Sequence, residues 1–225
     1  MTVDEVMKTL ERLGSEQTRK TYRRHGCGPD VFGVSFADLE VLKKKIKTDH
    51  ALALELWRTH NVDARHLAPM VADAEAMTED EFEEWVNGID YYGYAMIVAR
   101  LAAASPAGKK RMKAWLKARN DYVGETGWTL LAARAGKDAE LTDEECEEYL
   151  EAIEKRIHKA GNWTRYAMNG ALIAIGGRAG LREKALEAAR RIGKVEVDHG
   201  ETNCKTPDAA TYIGKMAARE AAKAK

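Results

Sequence analysis

The 225 residues carry 36 basic and 36 acidic side chains, a formal net charge of zero, with 45 % hydrophobic and 32 % charged residues. That balance excludes a disordered chain, and no apolar run approaches the roughly 18 residues of a bilayer span, so no membrane partner is expected. Cys27, Cys146 and Cys204 are too few and too widely spaced for a disulfide framework. His25 and His199 lie near two of them without a second pair at ligand spacing, so no metal site is expected. The segment MTVDEVMKTLERLG lacks the apolar core of a signal peptide, and a cytoplasmic protein is expected. Charge is uneven along the chain. Residues 1–100 hold 13 basic and 18 acidic side chains, and residues 161–225 hold 12 and 7. The basic carboxyl-terminal third suits a polyanion, or simply a differently charged solvated surface.

Taken in chain order, helix signals recur roughly every 12 to 20 residues, and strand signals are nearly absent. Ser35 precedes FADLEVLKKKIK, whose Phe36, Leu39, Val41, Leu42 and Ile46 fall mostly on one face, and Asp38 completes a Ser-x-x-Asp start. DHALALELWRT follows, with Leu52, Leu56 and Trp57 as its stripe, and Asn61 is placed to cap VDARHLAPMVADAEA. Thr78 with Glu81, and Thr142 with Glu145, have the spacing of capping boxes. There the hydroxyl accepts from an early backbone N–H while the carboxylate reaches back to the N–H of the cap. Asp90 is placed to cap a helix running through Arg100. Ser105-Pro106 and Thr206-Pro207 put proline at a first helical position, where its missing N–H is no loss. Gly14, Gly88, Gly161 and Gly193 sit where helices should stop. The stretch 193–205, GKVEVDHGETNCK, lacks helical periodicity and reads as an extended excursion before the last helix.

About a dozen short helices result. Helices of this length bury their stripes against neighbours, because alone in water they melt. No strict repeat is present, but paired helices can repeat through the apolar pattern alone. One all-α domain over residues 1–225 is expected.

Four segments resemble the DNA alkylation repair family typified by the glycosylase AlkD. They are residues 32–73, FGVSFADLEVLKKKIKTDHALALELWRTHNVDARHLAPMVAD; residues 81–101, EFEEWVNGIDYYGYAMIVARL; residues 127–132, GWTLLA; and residues 162–176, NWTRYAMNGALIAIG. The resemblance implies a curved solenoid of antiparallel helical hairpins, HEAT-like repeats, whose concave face cradles duplex DNA. It implies duplex or damaged DNA as partner, no cofactor, a monomer, and a place at the bacterial nucleoid. Enzymatic members release alkylpurines such as 3-methyladenine and 7-methylguanine, using an aspartate that stabilises the developing sugar cation, aromatic faces and an arginine.

At the chemistry this chain departs from that pattern. Within IDYYGYAM the resemblance sets Asp90 on a structural acid, Tyr92 on a tryptophan and Met96 on the catalytic aspartate, and the arginine position falls near Glu125. The expectation is a DNA-binding member with weak or no glycosylase activity. Two alternatives are an active glycosylase with Glu125 or Asp90 as its carboxylate, and a helical scaffold for a protein partner. The candidate DNA contacts are the aromatics Tyr91, Tyr92, Trp128 and Trp163, which equally suit a core; Arg165 and Asn169, four apart on one helix face; and Lys109, Lys110 and Lys113 in a basic helix.

Overall fold

The computed structural model describes residues 1–136 and 140–223. Among the described residues the chain forms thirteen α-helices, three short 3-10 turns and no strand. In order the helices are α1 Val3–Leu13, α2 Glu16–Arg24, α3 Phe36–Ile46, α4 His50–Arg58, α5 Val62–Val71, α6 Glu79–Asn87, α7 Ala95–Ala104, α8 Pro106–Trp115, α9 Asp121–Ala135, α10 Asp143–Arg156, α11 Asn162–Gly176, α12 Arg182–Ile192 and α13 Ala209–Lys223. None of them is long and apolar enough to cross a membrane.

The chain divides into two compact units, residues 1–111 with 199–203 and residues 112–198 with 204–225, the first division falling inside α8. In the first unit α3, α5 and α7 lie side by side in one layer, with α4 against α5 and α6 against α7. In the second, α9, α11 and α13 form one layer, and α10 packs on α12 in another. Small residues let α9 pack closely. A Cβ at Gly124 would stand 2.4 Å from Thr164 Oγ1, and one at Gly127 would stand 2.7 Å from the backbone of Trp115 and Leu116.

The capping boxes at Thr78 and Thr142 form as the spacing predicts, joined by a third at Thr2 with Glu5. Ser35 and Asn61 cap α3 and α5. Three details differ from the sequence expectation. Gly161 opens α11 instead of closing a helix, because the Asp121 carboxylate occupies the space beside it and accepts the N–H groups of Trp163 and Thr164 at 3.0 and 2.8 Å. Pro207 lies before the start of α13, where Asp208 takes the Thr211 N–H at 2.8 Å. Asp90 does not cap α7, which is entered from a 3-10 turn over Tyr92–Tyr94. Residues 193–208 form neither helix nor strand.

Charged side chains also turn inward to serve the backbone. Fully buried Asp63 accepts the N–H groups of Phe32, Gly33 and Val34 at 2.6, 3.0 and 2.7 Å, fixing the chain that leads into α3. Buried Arg65, four residues after its cap Asn61, donates Nε–H to the Trp57 carbonyl at the end of α4 and reaches the Gly88 carbonyl with Nη1. Arg165, four residues after Gly161, repeats the arrangement. Its Nε donates to Ile157, Nη1 to Glu196, and Nη2 to Ala160 and His158, all backbone carbonyls. The two units therefore share a repeat carried by position on a helix rather than by similar sequence.

Replacing Asp63 by alanine strands three backbone N–H groups, each costing about 1–3 kcal/mol when unsatisfied and buried. The expected outcome is a large fall in the urea midpoint; an unchanged midpoint would show that those groups find other partners.

Candidate nucleic-acid interface

In the first unit the site grows out of an aromatic network. Trp57 on α4 stacks on Trp85 of α6 at 4.7 Å, Tyr94 meets the edge of Trp57 at 5.7 Å, and the Arg65 guanidinium lies 5.0 Å from the Trp57 ring centre. His66 on α5 sits at the centre, 5.1 Å from Tyr94, 5.3 Å from Tyr22, 5.1 Å from Phe36 and 6.0 Å from Tyr91. Burial pushes its imidazole down to about 3, so it is neutral at physiological pH. Tyr91 is buried against Tyr94, and Tyr92 is only half-buried, its hydroxyl against His25 Nδ1. Consecutive tyrosines cannot share one face, and here Tyr92 is the one that reaches the surface.

The network surfaces again at Phe36, which is 44 % exposed at the start of α3. Beside it a cleft of about 560 Å³ opens, bounded by α3, α5 and α7 and lined by Phe36, Met70, Met96, Ile97 and Arg100 with the Glu40–Lys43 pair. Met96 is 47 % exposed at its mouth. In the sequence Phe36 belongs to the apolar stripe of α3, and no motif marks Arg100. The usable signal was a lone cation in the otherwise uncharged α7, four residues after Met96.

Asp90 is 72 % exposed and accepts from Arg65 Nη1 at 3.4 Å. That is a structural contact on the cation that ties α4 to the α6 end.

In the second unit, Glu125 on α9 is only 5 % exposed, and its Oε2 has no hydrogen-bond partner. Burial, with Asp121 adding to it, raises its carboxyl well above the ordinary range, which favours the neutral acid. Trp128 is buried edge-on to Tyr149 with Nε1 unpartnered, and buried Asn169 donates to the Pro207 carbonyl at 3.0 Å. Half-buried Trp163 meets Tyr166 edge-on at 6.4 Å. Arg165, with its guanidinium on four carbonyls, is a helix-end clamp in this structure.

The basic helix α8 is largely neutralised from within. Lys110 lies 3.5 Å from Glu79, Arg111 2.7 Å from Glu83, and Lys113 3.2 Å from Glu145, while Lys109 is half-buried on the same helix. Among the described residues, no three histidines, cysteines or carboxylates converge where an ion could sit.

Residues 6–213 match the family described as DNA alkylation repair enzyme. The chain belongs to that family. Within it, the chain is 31 % identical to the uncharacterized protein Lin0241 of Listeria innocua, covering 96 % of this chain and 97 % of that one. It is 30 % identical to the uncharacterized protein Lmo0209 of Listeria monocytogenes over the same shares. A solved structure superimposes with a TM-score of 0.91 at 31 % identity, covering 98 % of this chain and 95 % of the other. It is described as representing a new family of proteins related to the HEAT-like repeat DNA glycosylases, with affinity for branched DNA structures. The all-α, HEAT-like fold expected of this repair family is the fold found.

Glu125 offers a pH test. Its folded carboxyl titrates above the ordinary 4.5 and its unfolded one near it, so between these values the folded state keeps a proton that the unfolded state has lost. Stability from this group therefore falls as pH rises through that window. Glu125→Gln, which mimics the neutral acid, should lose this decline, gaining on the parent protein as pH increases in denaturation series. A parent curve parallel to that of the variant would mean that folding does not raise the Glu125 carboxyl.

Proposed function

We propose that this protein is a nucleoid-associated DNA-binding member of the DNA alkylation repair family, selective for branched duplexes and without useful glycosylase activity. The observation that carries the reading is the match over 98 % of the chain to a protein whose family has affinity for branched DNA. Branched DNA presents phosphates in a spatial pattern that linear duplex lacks, and phosphate contacts position a protein without reading sequence.

The chemistry supports the second half. α7 carries no carboxylate, and Met96 stands where the family's resemblance sets the catalytic aspartate. A thioether cannot stabilise a sugar cation electrostatically, and loss of one such stabiliser costs about 10²–10³ in rate. Neither proposed substitute fits the task, since Glu125 is buried where the charged form is disfavoured while Asp90 sits in solvent bonded to Arg65.

Fluorescence anisotropy with a four-way junction and a linear duplex of equal length tests the binding. The junction should bind more tightly, and its log affinity should fall linearly with log salt as counterions are released. Equal or absent binding to the two would overturn the reading. With methylated DNA, release of 3-methyladenine or 7-methylguanine should match the spontaneous rate. Robust release abolished by Glu125→Gln would instead make the protein a glycosylase.

A further inference from the structure

The cleft between α3, α5 and α7 has features that positioning on phosphates alone does not require. Its volume of about 560 Å³ lies within the roughly 300–1,000 Å³ range of sites that enclose small ligands. One wall is the Phe36 ring, open to solvent yet held from behind by His66 at 5.1 Å and Tyr22 at 6.4 Å, which leaves it little freedom to lose on binding. Met70, Met96 and Ile97 supply soft, polarisable apolar surface.

The rim is cationic. Glu40 brings the one carboxylate among the lining residues, and Lys43 stands 3.6 Å from it. Arg100 is exposed and, among the described residues, forms no hydrogen bond or ion pair with the protein. Arg58 and Arg191, by contrast, are tied to Glu84 and Glu154. What sets Arg100 apart from the chain's other unpaired exposed arginines is its place on the cleft. A flat aromatic wall, an apolar floor and a single unengaged guanidinium at the edge suit one ligand chemistry: a planar heterocycle joined to a phosphate.

We propose that this cleft receives an unstacked nucleobase from the branch point of DNA, the base lying on Phe36 between the methionines and Arg100 holding the adjoining phosphate. The proposal rests on the branched-DNA reading. Extruding a base from continuous duplex costs a few kcal/mol, and least where pairing or stacking is already interrupted, as at a branch. Stacking on an aromatic side chain returns about 1–3 kcal/mol per base for any of the four bases. Because the hydrogen-bonding side chains of the lining are the charged Glu40, Lys43 and Arg100 and the rest is apolar, the cleft selects for an available base more than for its identity.

The experiment is a four-way junction carrying 2-aminopurine either at the branch point or in the middle of one arm, titrated with the full-length protein, Phe36→Ala and Arg100→Gln. With the parent protein, emission should change for the branch-point probe and not for the arm probe. Both variants should weaken junction binding by about tenfold or more, consistent with one lost stacking or phosphate contact, and should suppress the emission change. Phe36 also packs on His66, so circular dichroism and melting must show that the Phe36→Ala protein is folded; Arg100→Gln, at an exposed side chain without partners, keeps the test independent of that. Tight junction binding with a silent branch-point probe, or with wild-type affinity in both folded variants, would overturn the cleft proposal alone. No preference of the parent protein for the junction would instead overturn the DNA reading on which it rests.

Discussion

Every short helix leaves N–H groups at one end and carbonyls at the other without partners, and a fold made of thirteen described helices multiplies that problem. The structure answers it with charge turned inward. Asp63 and Asp121 gather N–H groups, and Arg65 and Arg165 gather carbonyls, at corners where surface caps cannot reach. At Asp63 and Arg65 ion and dipole meet away from water, where each bond is stronger than its counterpart in water, while Asp121 and Arg165 are half-buried. Helix packing, and with it the placement of every surface side chain, follows from those corners being closed.

That use of charge divides the polar residues by task. Arg165 looks like a ligand contact in the sequence because it stands beside aromatics on a helix start, yet the same position in the first unit, Arg65, does the same structural work. The aromatics divide likewise. Tyr91, Tyr94 and Trp128 are buried, while Phe36 and Tyr92 are where the first unit's ring network meets solvent. None of these supports passes through Met96.

The helices, their capping boxes and the family were legible in the sequence because each has a local signature: a hydroxyl three residues before a carboxylate, a 3.6-residue stripe, a Gly-Val…Leu-Trp pattern. The start of α7 was not, because Asp90 has the composition of a cap but is bonded to Arg65, a partner 25 residues away. Gly161 misled for a related reason, since the group beside it, Asp121, lies on another helix. Of the candidate site, Met96 was legible through the family resemblance. The cleft around it was not, since an exposed Phe36 and a buried one read alike within an apolar stripe, and only the three-helix packing decides between them.

The ion pairs along α8 bear on how the protein would respond to ionic strength. A lysine that moves from Glu79 or Glu145 to a phosphate frees a carboxylate, which then attracts a cation of its own from the buffer. The ion shed by the nucleic acid is thereby partly recaptured, and the net release per contact is smaller than for a bare lysine. A helix with several basic residues can thus be almost silent in a salt titration, while a solitary unpaired side chain such as Arg100 registers in full. Counting cations along such a chain overstates its electrostatic reach; what matters is how many of them arrive without a counterion already attached.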